Sequence, residues 1–324
     1  MIASMLAIGA APAFAQSTPP PVVERKSTSR RASPVGAALL ACWCEGFGAA
    51  ERVQLWVQRN QGLRVQVLGK SGEGFPLVRG FLAAGAAIEC VGTVASAGAG
   101  SHALKWSTID RLPELGVISL TDPVPGQFPQ PEQLALAFAV SGRPDPHVPF
   151  DPARKLEEPM EAAVTAVMSS DEVPATYVRP PDRAAFAEAM RVLAAHPALA
   201  PFTGDAKLWQ GEPMAVVWPL PATASPRRIV GTGQRVQAAI LQADRVGIAL
   251  DPVVLPPAEV EKAAVGNPDL ARAAATVARI GGCSGADPVV VGRVGILAER
   301  KSRPAPPASA MLHIETPGRP GDSA

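Results

Sequence analysis

The side chains able to do chemistry are few and far apart. The four histidines, His102, His147, His196 and His313, are scattered along the chain. No cluster of His and Cys has the spacing of a tetrahedral zinc site, so no metal is expected. The four cysteines are Cys42, Cys44, Cys90 and Cys283, and the first two form C-x-C rather than C-x-x-C. Two disulfides and small buried thiols are both compatible with this pattern. The "CSG" at Cys283 and the "KSGEG" at Lys70 lack the G-x-S-x-G spacing of a nucleophile elbow. The "GTG" ending at Gly233 lacks the G-x-G-x-x-G of a dinucleotide fingerprint. No catalytic triad or carboxylate pair is evident.

The 324 residues suffice for two modest domains or one large one, and 47% of them are apolar against 18% charged. That is a globular composition. With 30 basic and 29 acidic residues the net charge is +1, which gives no overall attraction for nucleic acid or a membrane surface. Aromatic residues make up only 5%, so the core must be built from Ala, Val, Leu and Ile.

The first fifteen residues are uncharged and mostly apolar, and they end in Ala13-Phe14-Ala15 before Gln16. A small-x-small pattern there predicts a secretory signal over 1–15 and an exported, periplasmic protein, although no basic residue precedes the apolar run. Residues 16–34, rich in Ser, Pro and Arg, are expected to be a disordered tether.

Several elements must position the candidate groups. "VGAALLACWC" predicts a short buried helix. "ERVQLWVQRNQGLRVQVLGK" alternates around a turn and predicts a hairpin, with Val53, Leu55 and Val57 on one strand and Leu63, Val65 and Val67 on the next. "GFLAAGAAIECVGTVASAGAG" is almost entirely small and apolar. Its lone carboxylate, Glu89, favours a helix inside the protein over a membrane span. "ALKWSTI" and "LGVISLTD" predict strands. The proline-rich middle, 123–181, is expected to hold one helical piece, from about Glu158 to Met168. Phe186, Met190 and Leu193 mark an amphipathic helix. "EPMAVVWPLP" predicts a strand, with Trp218 in its core. In "RRIVGTGQRVQAAILQADRVGIALDPVV" the residues Val236, Ala239, Ile240, Ala243 and Gly247 are expected to share one helical face, and the helix runs into an extended segment. Two further helices follow, and then "VVVGRVG", apolar enough to be a central strand.

The chain carries one layout twice. Gly85 has Ala95 ten residues after it, Gly233 has Ala243 ten residues after it, and an arginine precedes each glycine. Each helix leads to a strand, and each half supplies a later apolar strand. This predicts a repeat in which each copy buries its helix against the other.

In this order the segments resemble the nitroreductase superfamily, and within it the Acg-like flavin oxidoreductases that hold two such halves in one chain. The resemblance rests on "GTGQRVQAAILQADRVGIALDPVV" with "VVVGRVG", on "VRGFLAAGAAIECVGTVASAGAG", and on "GAAERVQLWVQRNQGLRVQVL", similar to the family's S-x-x-N-x-Q-P-W element. It implies an α+β fold in which two related halves, 35–150 and 151–316, form a single-chain pseudo-dimer. That pseudo-dimer would have antiparallel and mixed sheets, long buried central helices and a flexible tail at 317–324. It further implies an FMN-dependent oxidoreductase passing hydride from a donor such as NAD(P)H through the flavin to an acceptor. The alternative is a degenerate member that binds or sequesters flavin or another small ligand without catalysis. A single chain of two halves is expected to be monomeric, with a small molecule as partner. Cofactor contacts are expected from Arg52, Gln54, Trp56, Gln234 and Arg303. Gln54 and Trp56 match the family element, whereas Ala49, Arg52 and Leu55 stand at its Ser, Asn and Pro positions. The family's phosphate-binding arginines would fall in "MSSDEVPATYV", which contains none.

Overall fold

The computed structural model describes residues 47–314, apart from 48, 59–61, 70–72, 99, 108–113, 122–129, 142–147, 152, 212, 286 and 300–311. The expected signal, tether and "VGAALLACWC" helix lie outside the described residues, as do Cys42, Cys44, His147, Lys301, Arg303 and the tail. The described residues form a mixed α+β protein with two sheets and eight helices.

The first lobe begins with the expected hairpin, β1 (Val53–Val57) and β2 (Gly62–Val67). Its alternation buries Val53, Leu55, Leu63, Val65 and Val67 on one face and leaves Gln54, Trp56, Arg64 and Gln66 half-buried on the other. Helix α1 (Phe75–Ala97) follows, with a proline in its first turn, where the missing N–H costs nothing. It is long and apolar enough to cross a membrane, yet most of it is buried inside the protein core. Strands β3 (Ser101–Trp106) and β4 (Glu114–Thr121) complete the lobe, giving the antiparallel order β3-β4-β2-β1.

The proline-rich middle departs from expectation. Besides the predicted helix, here α3 (Glu158–Met168), it holds α2 (Pro131–Ser141). The local signal was Pro131 in the first turn with Glu132 beside it. The helix packs on α1 and against the second lobe's central helix, a tertiary partner that short-range periodicity does not reveal.

The second lobe contains β5 (Thr176–Tyr177), α4 (Arg183–Ala194), the short α5 (Ala200–Thr203) and β6 (Met214–Pro219). Its central helix is α6 (Pro226–Arg245), capped by the Ser225 hydroxyl on the Arg228 amide. Then come β7 (Ala249–Leu255), α7 (Pro257–Ala264), α8 (Pro268–Gly281) and β8 (Val289–Gly295). Of the expected apolar face of α6, Val236, Ala239, Ile240 and Ala243 are buried, whereas Gly247 lies past the helix end, exposed and at positive φ, and so is not part of that face. Strand β8 is central as expected: it lies between β6 and β7 with all seven residues buried. Trp218 is fully buried, its indole Nε1 donating to the Met168 carbonyl at 2.7 Å.

The two lobes share one topology. In each, two strands, a long helix and two strands run in sequence. The sheet order is β3-β4-β2-β1 in the first and β7-β8-β6-β5 in the second, with every pair antiparallel. Substituting β5 to β8 for β1 to β4 converts one order into the other. The last strand, β9 (Leu312–Ile314), was assigned by sequence to the second half. It pairs in parallel with β1 and makes the first sheet five-stranded and mixed. The described residues thus end on the lobe in which they begin.

Candidate functional site

The seam between the lobes is the crossing of α1 and α6. A Cβ on Gly85 would collide with the Val230 carbonyl oxygen, and a Cβ on Gly233 would collide with that of Leu82. Leu82 stands three residues before Gly85, and Val230 three before Gly233. The contact is therefore reciprocal, and the two glycines paired by the sequence repeat meet each other at the crossing. Only hydrogen side chains allow backbones this close.

One turn beyond each glycine the seam becomes polar. Glu89 lies four residues after Gly85, and Gln237 four after Gly233. Burial pushes the Glu89 carboxyl above its ordinary pKa, partly offset by the positive charge of Arg235 on α6. Gln237 is fully buried, and neither its amide nitrogen nor its carbonyl oxygen has a hydrogen-bond partner among the described residues. Sequence reasoning missed Gln237 because it lies within a helical face otherwise read as apolar. Further along α1, His102 packs its ring on Gly92, and burial lowers its pKa.

The sequence-predicted residues fall in separate places. Gln54 and Trp56 are together: the Trp56 indole donates to the Gln54 carbonyl oxygen at 3.2 Å. Trp56 stacks on His313 of β9 with ring centroids 4.5 Å apart, and Arg64 lies over its ring at 5.3 Å. The three are abreast on neighbouring strands, since Trp56 is in register with both Arg64 and His313. Arg52 turns to Glu73 in a 2.7 Å ion pair and also donates to the Leu68 carbonyl. Gln234 is on α6, its backbone nitrogen close to Gly85. Arg303 lies outside the described residues.

Among the described residues, the grouping of Arg52, Gln54 and Trp56 does not fit an FMN phosphate. Such a group carries close to two negative charges and needs several cations or donors when buried. The Arg52 charge is already balanced by Glu73, and the Gln54 carbonyl oxygen already accepts from the Trp56 indole. No group of three or more His, Cys, Asp or Glu suited to a metal ion occurs among the described residues.

Two cysteines can be assigned. Cys90 on α1 is disulfide-bonded, and Cys283 is a free thiol whose pKa is raised by burial and then by the nearby Asp287 charge. Cys42 and Cys44, outside the described residues, are left as the candidates for the partner of Cys90. Peptide mapping without reduction should recover Cys90 linked to one of them, with Cys283 in a linear peptide. A linear Cys90 peptide from the native protein would contradict the assignment.

Fold and seam together define a two-lobed α+β protein with a duplicated strand–strand–helix–strand–strand unit. No family model and no curated protein matches the chain.

Proposed function

We propose that the chain is a nitroreductase-like, single-chain pseudo-dimer that binds a small planar ligand, a flavin or a related ring compound, at the seam without catalysing hydride transfer. The observation that carries the reading is Gln237. Buried amide groups are almost always hydrogen-bonded, and an unpaired one costs about 1–3 kcal/mol. A ligand edge carrying a carbonyl and an N–H would satisfy both of its atoms. The internal pairing of Arg52 with Glu73 and of Trp56 with Gln54 speaks against the phosphate of FMN.

A second reading, the FMN-dependent oxidoreductase implied by the family resemblance, is favoured by the repeated topology and the reciprocal glycine crossing. Titration with riboflavin and with FMN, followed by flavin fluorescence and by NADH oxidation, separates the two. The ligand-binding reading expects riboflavin to bind at least as tightly as FMN, Gln237→Leu to weaken both, and NADH oxidation to stay at the buffer rate. FMN binding about tenfold tighter than riboflavin, with NADH turnover, would establish the oxidoreductase instead. If neither flavin binds, the flavin reading falls.

A further inference from the structure

A recess lies away from the seam, where the connection between the lobes meets the end of β8. Its volume is about 390 Å³, within the range of small-molecule sites. Phe150, Leu156, Met214 and Ile296 supply apolar wall, and Arg154, Lys155, Arg183, Asp151 and Glu161 supply charge.

The recess is preformed. Phe150 forms a bridge with Leu297, the Asp151 amide donates to the Ile296 carbonyl at 2.8 Å, and the Ala298 amide donates to the Pro149 carbonyl. Beneath them, the buried Arg293 holds the Val148 carbonyl and lies 4.2 Å from the Phe150 ring centroid. The Phe150 ring lies against Gly295, where a Cβ would displace it.

Its charges are unevenly committed. Glu161 accepts from the Tyr177 hydroxyl at 2.8 Å and pairs with Arg183 at 3.3 Å. The Arg183 Nε is buried without a hydrogen-bond partner. Asp151 caps the Ala153 amide at 2.9 Å. Arg154 and Lys155 are exposed and form no ion pair among the described residues. Three cations against two carboxylates leave one positive charge in excess around a hollow of mixed polar and apolar lining.

We propose that this recess binds a small organic monoanion: a carboxylate whose apolar body lies along Phe150, Leu156 and Ile296 and whose charge is received by Arg154 and Lys155, with Arg183 behind them. A single excess charge suits a monocarboxylate better than a phosphate dianion, and the apolar wall rejects a bare inorganic ion. The inference goes beyond the seam reading and does not depend on it.

The test is calorimetric titration of the full chain with octanoate, octylamine and inorganic phosphate. Octanoate should bind at one site per chain, and octylamine and phosphate should not. In Arg154→Gln/Lys155→Gln, which alters only exposed side chains, octanoate should bind about ten- to a hundredfold more weakly, the loss of one charge-assisted hydrogen bond. Ile296→Asp, which places a carboxylate in the hollow, should abolish binding, and a circular dichroism spectrum shows whether it remains folded. Absence of octanoate binding to the native protein, equal affinity in the double variant, or equal binding of octylamine would overturn the proposal.

Discussion

Gly233→Ala should destabilise the protein by about 1–3 kcal/mol, the usual cost of forcing extra atoms into a closed contact. In an exposed helix the same change would stabilise, because alanine favours a helix over glycine by about 1 kcal/mol. The sign therefore reports the crossing. A Cβ at Gly233 would run into the Leu82 backbone, and backbone inside a helix cannot step aside as a side chain does. The reciprocal change, Gly85→Ala, should have a similar effect, because it meets the Val230 carbonyl in the same way. Gly231, two residues away on the same helix, is the control. A Cβ there would meet only a Val173 methyl at 3.3 Å, so Gly231→Ala should be near neutral. Urea denaturation of the three variants measures the difference. Equal stability of Gly233→Ala and Gly231→Ala would mean that α1 and α6 do not cross at the glycines.

Arg293→Met should cost more, about 3–5 kcal/mol, the range for removing one partner of a buried ion pair. Arg293 is fully buried on β8. Its Nε donates to Asp251 on β7 at 2.9 Å, and its other nitrogens reach the Leu208 carbonyl at 2.9 Å and the Val148 carbonyl at 3.4 Å. One side chain thus ties the second sheet to the turn at Leu208 and to the connection between the lobes. Methionine fills much of the volume but leaves the Asp251 carboxylate without its cation in a site only 9% exposed. Small proteins are stable by about 5–15 kcal/mol, so this one change removes a large share. Arg293→Met combined with Asp251→Asn should recover part of the loss, because the stranded charge is gone. Denaturation midpoints of the single and double variants decide it. A single variant as stable as the native protein would show that the pair contributes nothing.

Much of the architecture could be read from residue patterns. Alternation in "VQLWV" and "GLRVQV" gave the hairpin, because a strand buries every second side chain and these stretches have the matching order. The helical spacing of Val236, Ala239, Ile240 and Ala243 gave α6 and its inward face. The lone Glu89 in an apolar run pointed to a helix inside the protein, and most of α1 is buried there. Helix α2 escaped notice because proline punctuation around it reads as connection, and its stability comes from packing on α1 and α6.

The candidate site was less legible. Gln54 and Trp56 were singled out as ligand contacts, and they do lie together, but bonded to each other and stacked against His313 from the far end of the chain. Arg52 was counted as a cation for a ligand, and its charge goes to Glu73. Gln237 and the recess at Phe150 had no signal in sequence. The first hides in an apolar helical face, and the second is assembled from stretches far apart in the chain, from Phe150 to Ile296.

The sequence alone determined what depends on near neighbours: strand alternation, helical faces, and the repeat that pairs Gly85 with Gly233. Only the tertiary structure decided what depends on distant partners. It brought those glycines into contact, placed β9 beside β1, buried Arg293 against Asp251, and opened a charged recess where the lobes connect. The physical reason is range. Periodicity records which side of an element leaves water, whereas hydrogen bonds, ion pairs and cavities depend on which element arrives opposite.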